Sequence, residues 1–195
     1  MYRRTNMGIS TKFPLQTGHP SLDLVNTEVI RRNKRIELFS TIDDVYEWLS
    51  QFAQWEHLSP IINALDEQVL LERLCHIRAT LRQQFEQMAE GQFISDEFIS
   101  LMEEYIAKAP FTYVWRGQLV ALPIGQPIAQ LYSYIAYDAL TLLAEGKLKQ
   151  LTHCSNPECI LLYIDESGRR KWCSMKICGN RQKVAKHHKN KPTTK

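Results

Sequence analysis

Four cysteines in the last quarter of the chain have the types and spacing of a metal site. They follow the pattern C-x4-C-x13-C-x4-C and are Cys154, Cys159, Cys173 and Cys178. Four thiolates satisfy a tetrahedral Zn²⁺ ion, and each close pair supplies two ligands from one loop at small entropic cost. Two disulfides or four unrelated thiols are the alternatives. The spacing predicts one structural zinc ion.

The choice between zinc and disulfides depends on the cellular compartment. The first residues contain no apolar run of signal-peptide length, and no stretch reaches the roughly 18 apolar residues that a membrane helix requires. We therefore expect a cytoplasmic protein without membrane association. Reducing conditions there favour metal ligation over disulfide formation.

Local elements must hold the two cysteine pairs in place. Residues 160–172 are predicted to form two short strands joined by a turn at Ser167 and Gly168, and a basic helix is predicted from Asn180 to about Lys189. This layout is treble-clef-like. Such a short segment buries little apolar surface, so we expect metal binding to supply folding free energy, on the order of 10 kcal/mol in zinc-finger peptides.

Charge is distributed unevenly along the chain. Of 24 Lys and Arg residues, ten lie from Gly168 onward, whereas none of the 21 Asp and Glu residues does, which leaves residues 1–167 with a net charge of −7. This asymmetry favours a polyanionic partner such as nucleic acid, although a solvated charged tail is the alternative. We predict contacts to nucleic acid from Lys176, Asn180, Arg181, Lys183, Lys186, His187 and Lys189.

The predicted contact residues differ in what they can bind. Lysines act mainly as point charges for phosphate, whereas Asn180 and Arg181 have planar groups that can bind base edges bidentately. Both residues directly follow the Cys178–Gly179 pair, so a structural role within the finger is an equal alternative for them.

The preceding residues predict a mainly helical domain. Helical periodicity is present around Leu22 to Ile30, from Thr41 to Phe52, from Asp66 to Glu90, from Ser95 to Pro110 and from Pro127 to Gly146, with a further helix start at Ser59–Pro60. β-branched and aromatic residues on either side of Arg116–Gly117 predict one β-hairpin. We therefore expect an α+β fold, mainly α, with a helical domain over residues 1–148 and a zinc finger with a basic tail over residues 149–195.

Two polar residues stand out within the first predicted helix. Asp23 and Asn26 lie three residues apart among apolar neighbours and therefore share a helix face. They form part of a ligand pocket or, as the better supported alternative, an internal hydrogen-bond network.

The quoted motifs resemble two known families. Cys178-Gly179-Asn180-Arg181, preceded by the paired cysteines and followed by a basic helix, resembles the CGNR zinc finger. The segment GHPSLDLVNT, with Trp48–Leu49 downstream, is similar to the ABATE domain, which precedes this finger in bacterial stress-induced transcription regulators. The resemblance covers nearly the whole chain and implies zinc binding and DNA binding.

These observations predict a bacterial transcription regulator that binds DNA through its basic zinc finger. The alternative is an adaptor that binds protein or RNA, since zinc fingers serve those functions as well. The N-terminal domain would sense a small-molecule effector or mediate assembly, for example as a homodimer. We expect no enzymatic activity, because the sequence has no common catalytic motif and four thiolates leave zinc no open position.

Overall fold

The computed structural model describes residues 12, 13, 15, 17–52 and 66–189, with side chains through residue 184. Helices dominate this part of the chain. They are α1 (Pro20–Val25), α2 (Ile42–Leu49), α3 (Glu67–Ala89), α4 (Asp96–Lys108), α5 (Pro127–Ala144) and α6 (Asn180–Lys189). The strands are β1 (Glu28–Arg31), β2 (Lys34–Glu37), β3 (Phe111–Trp115), β4 (Leu119–Pro123), β5 (Leu151–His153) and β6 (Leu162–Ile164). The mainly α, α+β class is confirmed.

Helix α3 is the centre of the core. It begins where the Asp66 carboxylate accepts a hydrogen bond from the backbone N–H of Val69 (3.1 Å), which satisfies one of the free donors of the first turn. Its apolar residues recur every three or four positions, and α1, α2 and α5 pack against it. The fully buried ones are Leu70, Leu74, Ile77, Leu81 and Phe85. Helix α3 closely matches the predicted long helix, although Val69 lies on its outer side.

Helices α4 and α5 pack along each other beside α3. The Ser95 side chain caps α4 by accepting from the N–H of Phe98 (3.1 Å), and Tyr105 and Tyr132 meet edge to face across the interface. Between the two helices, β3 and β4 form the predicted hairpin, with Trp115 opposite Leu119.

A second hairpin lies where the sequence predicted helix. Helix α1 ends at Val25, and β1 then pairs antiparallel with β2, placing Val29 opposite Ile36. The expectation that Val29 and Ile30 continue the first helix is therefore wrong. A buried arginine stabilises this alternative, since Arg78 of α3 donates to the Thr27 hydroxyl and to the Glu37 carboxylate.

The finger begins with a hairpin that differs from the predicted one. A 3₁₀ turn (Lys147–Gln150) leads into β5, which pairs with β6. Residues 169–172 form no strand, because Asp165 organises a tight turn by accepting hydrogen bonds from Ser167 and from the backbone of Arg170. The predicted pairing within residues 160–172 is therefore wrong, although a turn does lie at Ser167 and Gly168.

The finger hairpin packs directly on the helical part of the chain. Leu151, Leu162 and Tyr163 are buried in the same hydrophobic core as α1 and α3. The division into separate domains over residues 1–148 and 149–195 stays a prediction. The helix start predicted at Ser59–Pro60 lies outside the described residues. No helix in the described part of the chain is long and apolar enough to cross a membrane.

Candidate metal centre and nucleic-acid interface

The four predicted cysteines come together at one point. Their sulfur atoms all lie within 4.8 Å of one another, and the Sγ atoms of Cys159 and Cys173 are 3.9 Å apart. A disulfide needs about 2.05 Å between sulfurs, so these thiols are not bonded to each other. Zinc with S–Zn distances of about 2.3 Å gives tetrahedron edges of about 3.8 Å, which fits the observed spacing.

The first pair of ligands lies in the loop that joins β5 to β6. The backbone N–H of Cys154 donates to Leu161 (3.2 Å), and that of Cys159 donates to Asn156 (2.9 Å), which closes a tight knuckle. A further bond from the Ser155 N–H to the Lys171 carbonyl (2.8 Å) fixes the knuckle to the segment that carries the second pair.

The second pair lies at the start of the C-terminal helix. Ser174 caps a wide helical turn (Met175–Gly179) by accepting from the N–H of Ile177, and this turn continues directly into α6. Cys178 lies in that turn, near the positive end of the helix dipole, which favours a thiolate. The knuckle, the hairpin and this helix together give the treble-clef-like arrangement that the spacing predicts.

Buried hydrogen bonds support the sulfur atoms from outside the cluster. The Asn156 side chain donates to Cys178 Sγ (3.3 Å), and the Cys173 N–H donates to Cys154 Sγ (3.4 Å). Gln182 of α6 donates to the same asparagine (3.1 Å), so the amide is held in place from both sides. Sequence reasoning missed Asn156, because a polar residue between two cysteines is common and only the fold shows its partners.

The ionisation of the cluster also fits a cation. A hydrogen bond from Cys173 lowers the pKa of Cys159 to about 6 and raises the pKa of Cys173 itself. Burial raises the pKa of Cys178 to about 11. Thiolates packed this closely repel one another, so a divalent cation is required for all four to ionise together. Cys154, Cys159, Cys173 and Cys178 thus form a site for one structural zinc ion.

Gly179 follows the last ligand and lies close to two side chains. A Cβ at this position would lie 3.2 Å from Cδ1 of Trp172 and 2.5 Å from Sδ of Met175. The Met175 side chain is half-exposed and can move away from an added Cβ. The contact with the Trp172 ring is longer but harder to relieve. The glycine therefore lets the start of the helix approach the ring closely.

The predicted nucleic-acid contacts lie on or beside α6. Lys176, in the wide turn, and Asn180, Arg181 and Lys183, on the helix, are all exposed. None of these four side chains forms a hydrogen bond or ion pair with the residues that the structure describes. Lys186, His187 and Lys189 belong to the later turns of the same helix.

The polar pair of α1 has backbone partners. Asp23 accepts from the N–H groups of Thr17 and Gly18 and from the Thr17 hydroxyl, at 2.7–3.0 Å. Asn26 donates to the carbonyl of Leu162 (2.9 Å) and accepts from its N–H (3.0 Å). Asp23 therefore orders the segment before α1, and Asn26 binds α1 to the edge of β6.

A buried arginine reinforces this junction. Arg82 of α3 donates to the carbonyl of Val25 at the end of α1 (2.5 Å) and to the carbonyl of Ile160 in the finger (3.2 Å). Ion pairs with Glu28 and Glu86 balance its charge. The sequence carries no local signal for Arg82, because an arginine on a long helix is usually exposed.

A mainly helical body that carries a four-cysteine, treble-clef-like finger defines the class: a zinc-binding protein with a C-terminal zinc finger. Residues 150–191 match the CGNR zinc finger. Residues 18–146, more than half of the chain, match the ABATE family, described as "Putative stress-induced transcription regulator". The chain belongs to the ABATE family. No curated protein is detectably similar to it in sequence.

Proposed function

We propose that this protein is a DNA-binding transcription regulator, and that the exposed side of the zinc-finger helix contacts duplex DNA. The observation that carries the proposal is the set of four exposed polar side chains, Lys176, Asn180, Arg181 and Lys183. These side chains lack partners among the described residues although the zinc ligand Cys178 fixes the start of their helix. Regulation of transcription, the function in the family description, is consistent with such a DNA contact.

The two types of side chain have different roles in the proposal. Lys176 and Lys183 supply point charges for phosphate oxygens, which position the finger without selecting a sequence. Asn180 and Lys183 are three residues apart and thus lie on the same side of α6. If Lys183 contacts a phosphate, the side-chain amide of Asn180 therefore comes close to a groove of the DNA. Asn180 and Arg181 then supply bidentate groups for base edges.

Zinc is structural in this proposal. Binding of zinc by the four cysteines holds the knuckle against the first turn of α6 and thereby sets the position of Asn180 and Arg181. Asn156 supports this arrangement because it contacts both a ligand sulfur and Gln182. Removing the metal should therefore remove DNA binding along with the fold of the finger.

The first test is binding of the zinc-loaded protein to random-sequence duplex DNA, measured by fluorescence anisotropy from 50 to 200 mM salt. We expect Lys176→Ala/Lys183→Ala to weaken binding to all sequences and to reduce the slope of log affinity against log salt by about 2, roughly 0.9 for each lost phosphate contact. Arg116→Ala removes an exposed cation at the tip of the β3–β4 hairpin and should leave the slope unchanged.

Two results would contradict the proposal. Absence of salt-dependent binding by the zinc-loaded protein would exclude a DNA-binding finger. Preferential binding to RNA or to an acidic protein would instead support an adaptor.

The remaining expectations stay predictions. A cavity of about 440 Å³ between the segment before α1 and the turn after β6, lined among others by His19, Tyr163 and Arg170, offers a location for a small-molecule effector. The homodimer and the cytoplasmic location likewise stay predictions.

A further inference from the structure

The tip of the β1–β2 hairpin carries a concentrated positive charge. Its five consecutive residues are Arg31, Arg32, Asn33, Lys34 and Arg35, all exposed and none acidic. Arg35 pairs with Glu28 (3.2 Å), but the side chains of Arg31, Arg32 and Lys34 form no ion pair with any described residue. The hairpin therefore adds a cluster of cations from residues 1–167, although the net charge of that part of the chain is negative.

This tip lies next to the zinc finger. Ile30 and Arg31 line the same small surface depression as Cys159, Cys178 and Arg181. The end of β1 is therefore beside the wide helical turn that leads into α6. The acidic Glu158 also lines the depression, but it forms no ion pair with Arg31 or Arg181 among the described residues.

The arrangement of these charges does not favour the hairpin's own stability. Arg31 and Lys34 are directly opposite each other across the two strands, where like charges repel. Arg32 and Asn33 form the turn with φ values of 51° and 58°, which Asn and Gly adopt more easily than Arg. A polyanion bound at the tip would relieve the repulsion between these cations.

We propose that the β1–β2 tip is a second phosphate-binding element that contacts duplex DNA beside the zinc finger. The inference rests on the DNA-binding function proposed above and extends it to the helical domain. A two-stranded ribbon fits the major groove or follows one of its phosphate walls, and cations on adjacent elements would follow neighbouring phosphates. The finger and the hairpin would thus form one DNA-binding surface. This surface spans the junction between α1 and β6, where Asn26 binds Leu162.

The experiment compares salt-dependent binding of random duplex DNA by wild-type protein, Arg32→Asn/Lys34→Thr and Arg116→Asn. Asn suits the positive φ of the turn and Thr suits a strand, so the double variant should be at least as stable as the wild type in thermal unfolding. We expect its affinity at 100 mM salt to fall at least about tenfold and its salt slope to fall by about 2. Arg116→Asn removes one cation from the tip of the other hairpin and should change neither.

Arg32→Lys provides a second check, because it keeps the charge and should retain wild-type binding where Arg32→Asn alone weakens it. A wild-type slope in the double variant, together with weakened binding by Lys176→Ala/Lys183→Ala, would overturn the hairpin proposal and leave the finger proposal intact. Failure of the wild-type protein to bind duplex DNA would overturn both.

Discussion

Asn26 links two parts of the molecule that are far apart in sequence. Its side-chain amide both donates to and accepts from the backbone of Leu162, as a neighbouring strand would. Both groups are buried, so neither bond can be replaced by bulk water without opening the junction. A polar residue in an apolar segment is here a specific connection between α1 and the finger.

Replacing Asn26 by Ala should destabilise the protein by about 2 kcal/mol or more, because it leaves a buried N–H and a buried C=O of Leu162 without partners. Urea unfolding of the zinc-loaded protein, followed by tryptophan fluorescence, measures this change. Asn180→Ala is the matched control, since that asparagine is exposed and should change stability by less than about 0.5 kcal/mol. Equal midpoints for the two variants would show that the junction contributes nothing.

Asp23 gives a prediction about pH. Burial raises its pKa to about 6, against three hydrogen bonds from Thr17 and Gly18 that favour the charged form. Between its unfolded value near 4 and its folded value near 6, the folded state binds more protons than the unfolded state. The contribution of Asp23 to stability therefore falls as pH rises through this window.

The comparison that isolates this effect is wild type against Asp23→Asn. We expect the free energy of unfolding of wild type minus that of the variant to fall most steeply between about pH 4 and 6 and to level off above about pH 7. Urea unfolding at constant zinc concentration provides the values. A difference that is independent of pH would mean that folding leaves the pKa of Asp23 unchanged and that the three hydrogen bonds offset its burial.

At the scale of elements, the long helices and the β3–β4 hairpin were predictable, whereas the β1–β2 and β5–β6 hairpins were not. Helices α3 and α5 repeat an apolar period over several turns, and Asp66 caps the first of them, so local information suffices. The β1–β2 hairpin has no glycine in its turn, and Val29 and Ile30 continue the period of α1. Arg78 favours the hairpin over a longer helix, because it binds Thr27 and Glu37 from a helix some 40 to 50 residues away in sequence.

The pairing of the finger hairpin was likewise not predictable from local sequence. Residues 160–172 have strand-like composition on both sides of the turn, but Leu162 pairs with His153 of β5 instead. Arg170 is engaged elsewhere, because it lies 4.4 Å from the centre of the Tyr163 ring and donates to the Cys173 carbonyl (2.5 Å). These contacts hold the segment before Cys173 in an irregular conformation that positions the second ligand pair.

At the scale of the whole molecule, the zinc finger and the helical domain share one core. Leu151, Leu162 and Tyr163 are buried against α1 and α3, and Arg82 donates to carbonyls of both parts. Unfolding of the finger would expose this apolar surface of the helices. The metal centre should therefore stabilise residues well outside the finger itself.

Removal of zinc should accordingly lower the stability of the whole chain. We expect chelation, or Cys173→Ser, to increase hydrogen exchange from about residue 150 onward and also in α1 and the β1–β2 hairpin, with a lower melting temperature. Re-addition of zinc should restore the chelated wild type. Cys75→Ser is the control, since Cys75 lies outside the cluster and the variant should retain one zinc ion. Unchanged exchange in α1 would show that the two parts fold independently.

The sequence by itself determined the features that depend on local spacing. These are the zinc ligands, the long helices, the β3–β4 hairpin and the basic character of α6, because each follows from residue types a few positions apart. Only the tertiary structure decided which distant groups meet. In the folded chain Asn26 binds the edge of β6, Asn156 donates to the sulfur of Cys178, and the β1–β2 tip lies beside the finger. These contacts join residues that are far apart in sequence, so they depend on how the whole chain packs.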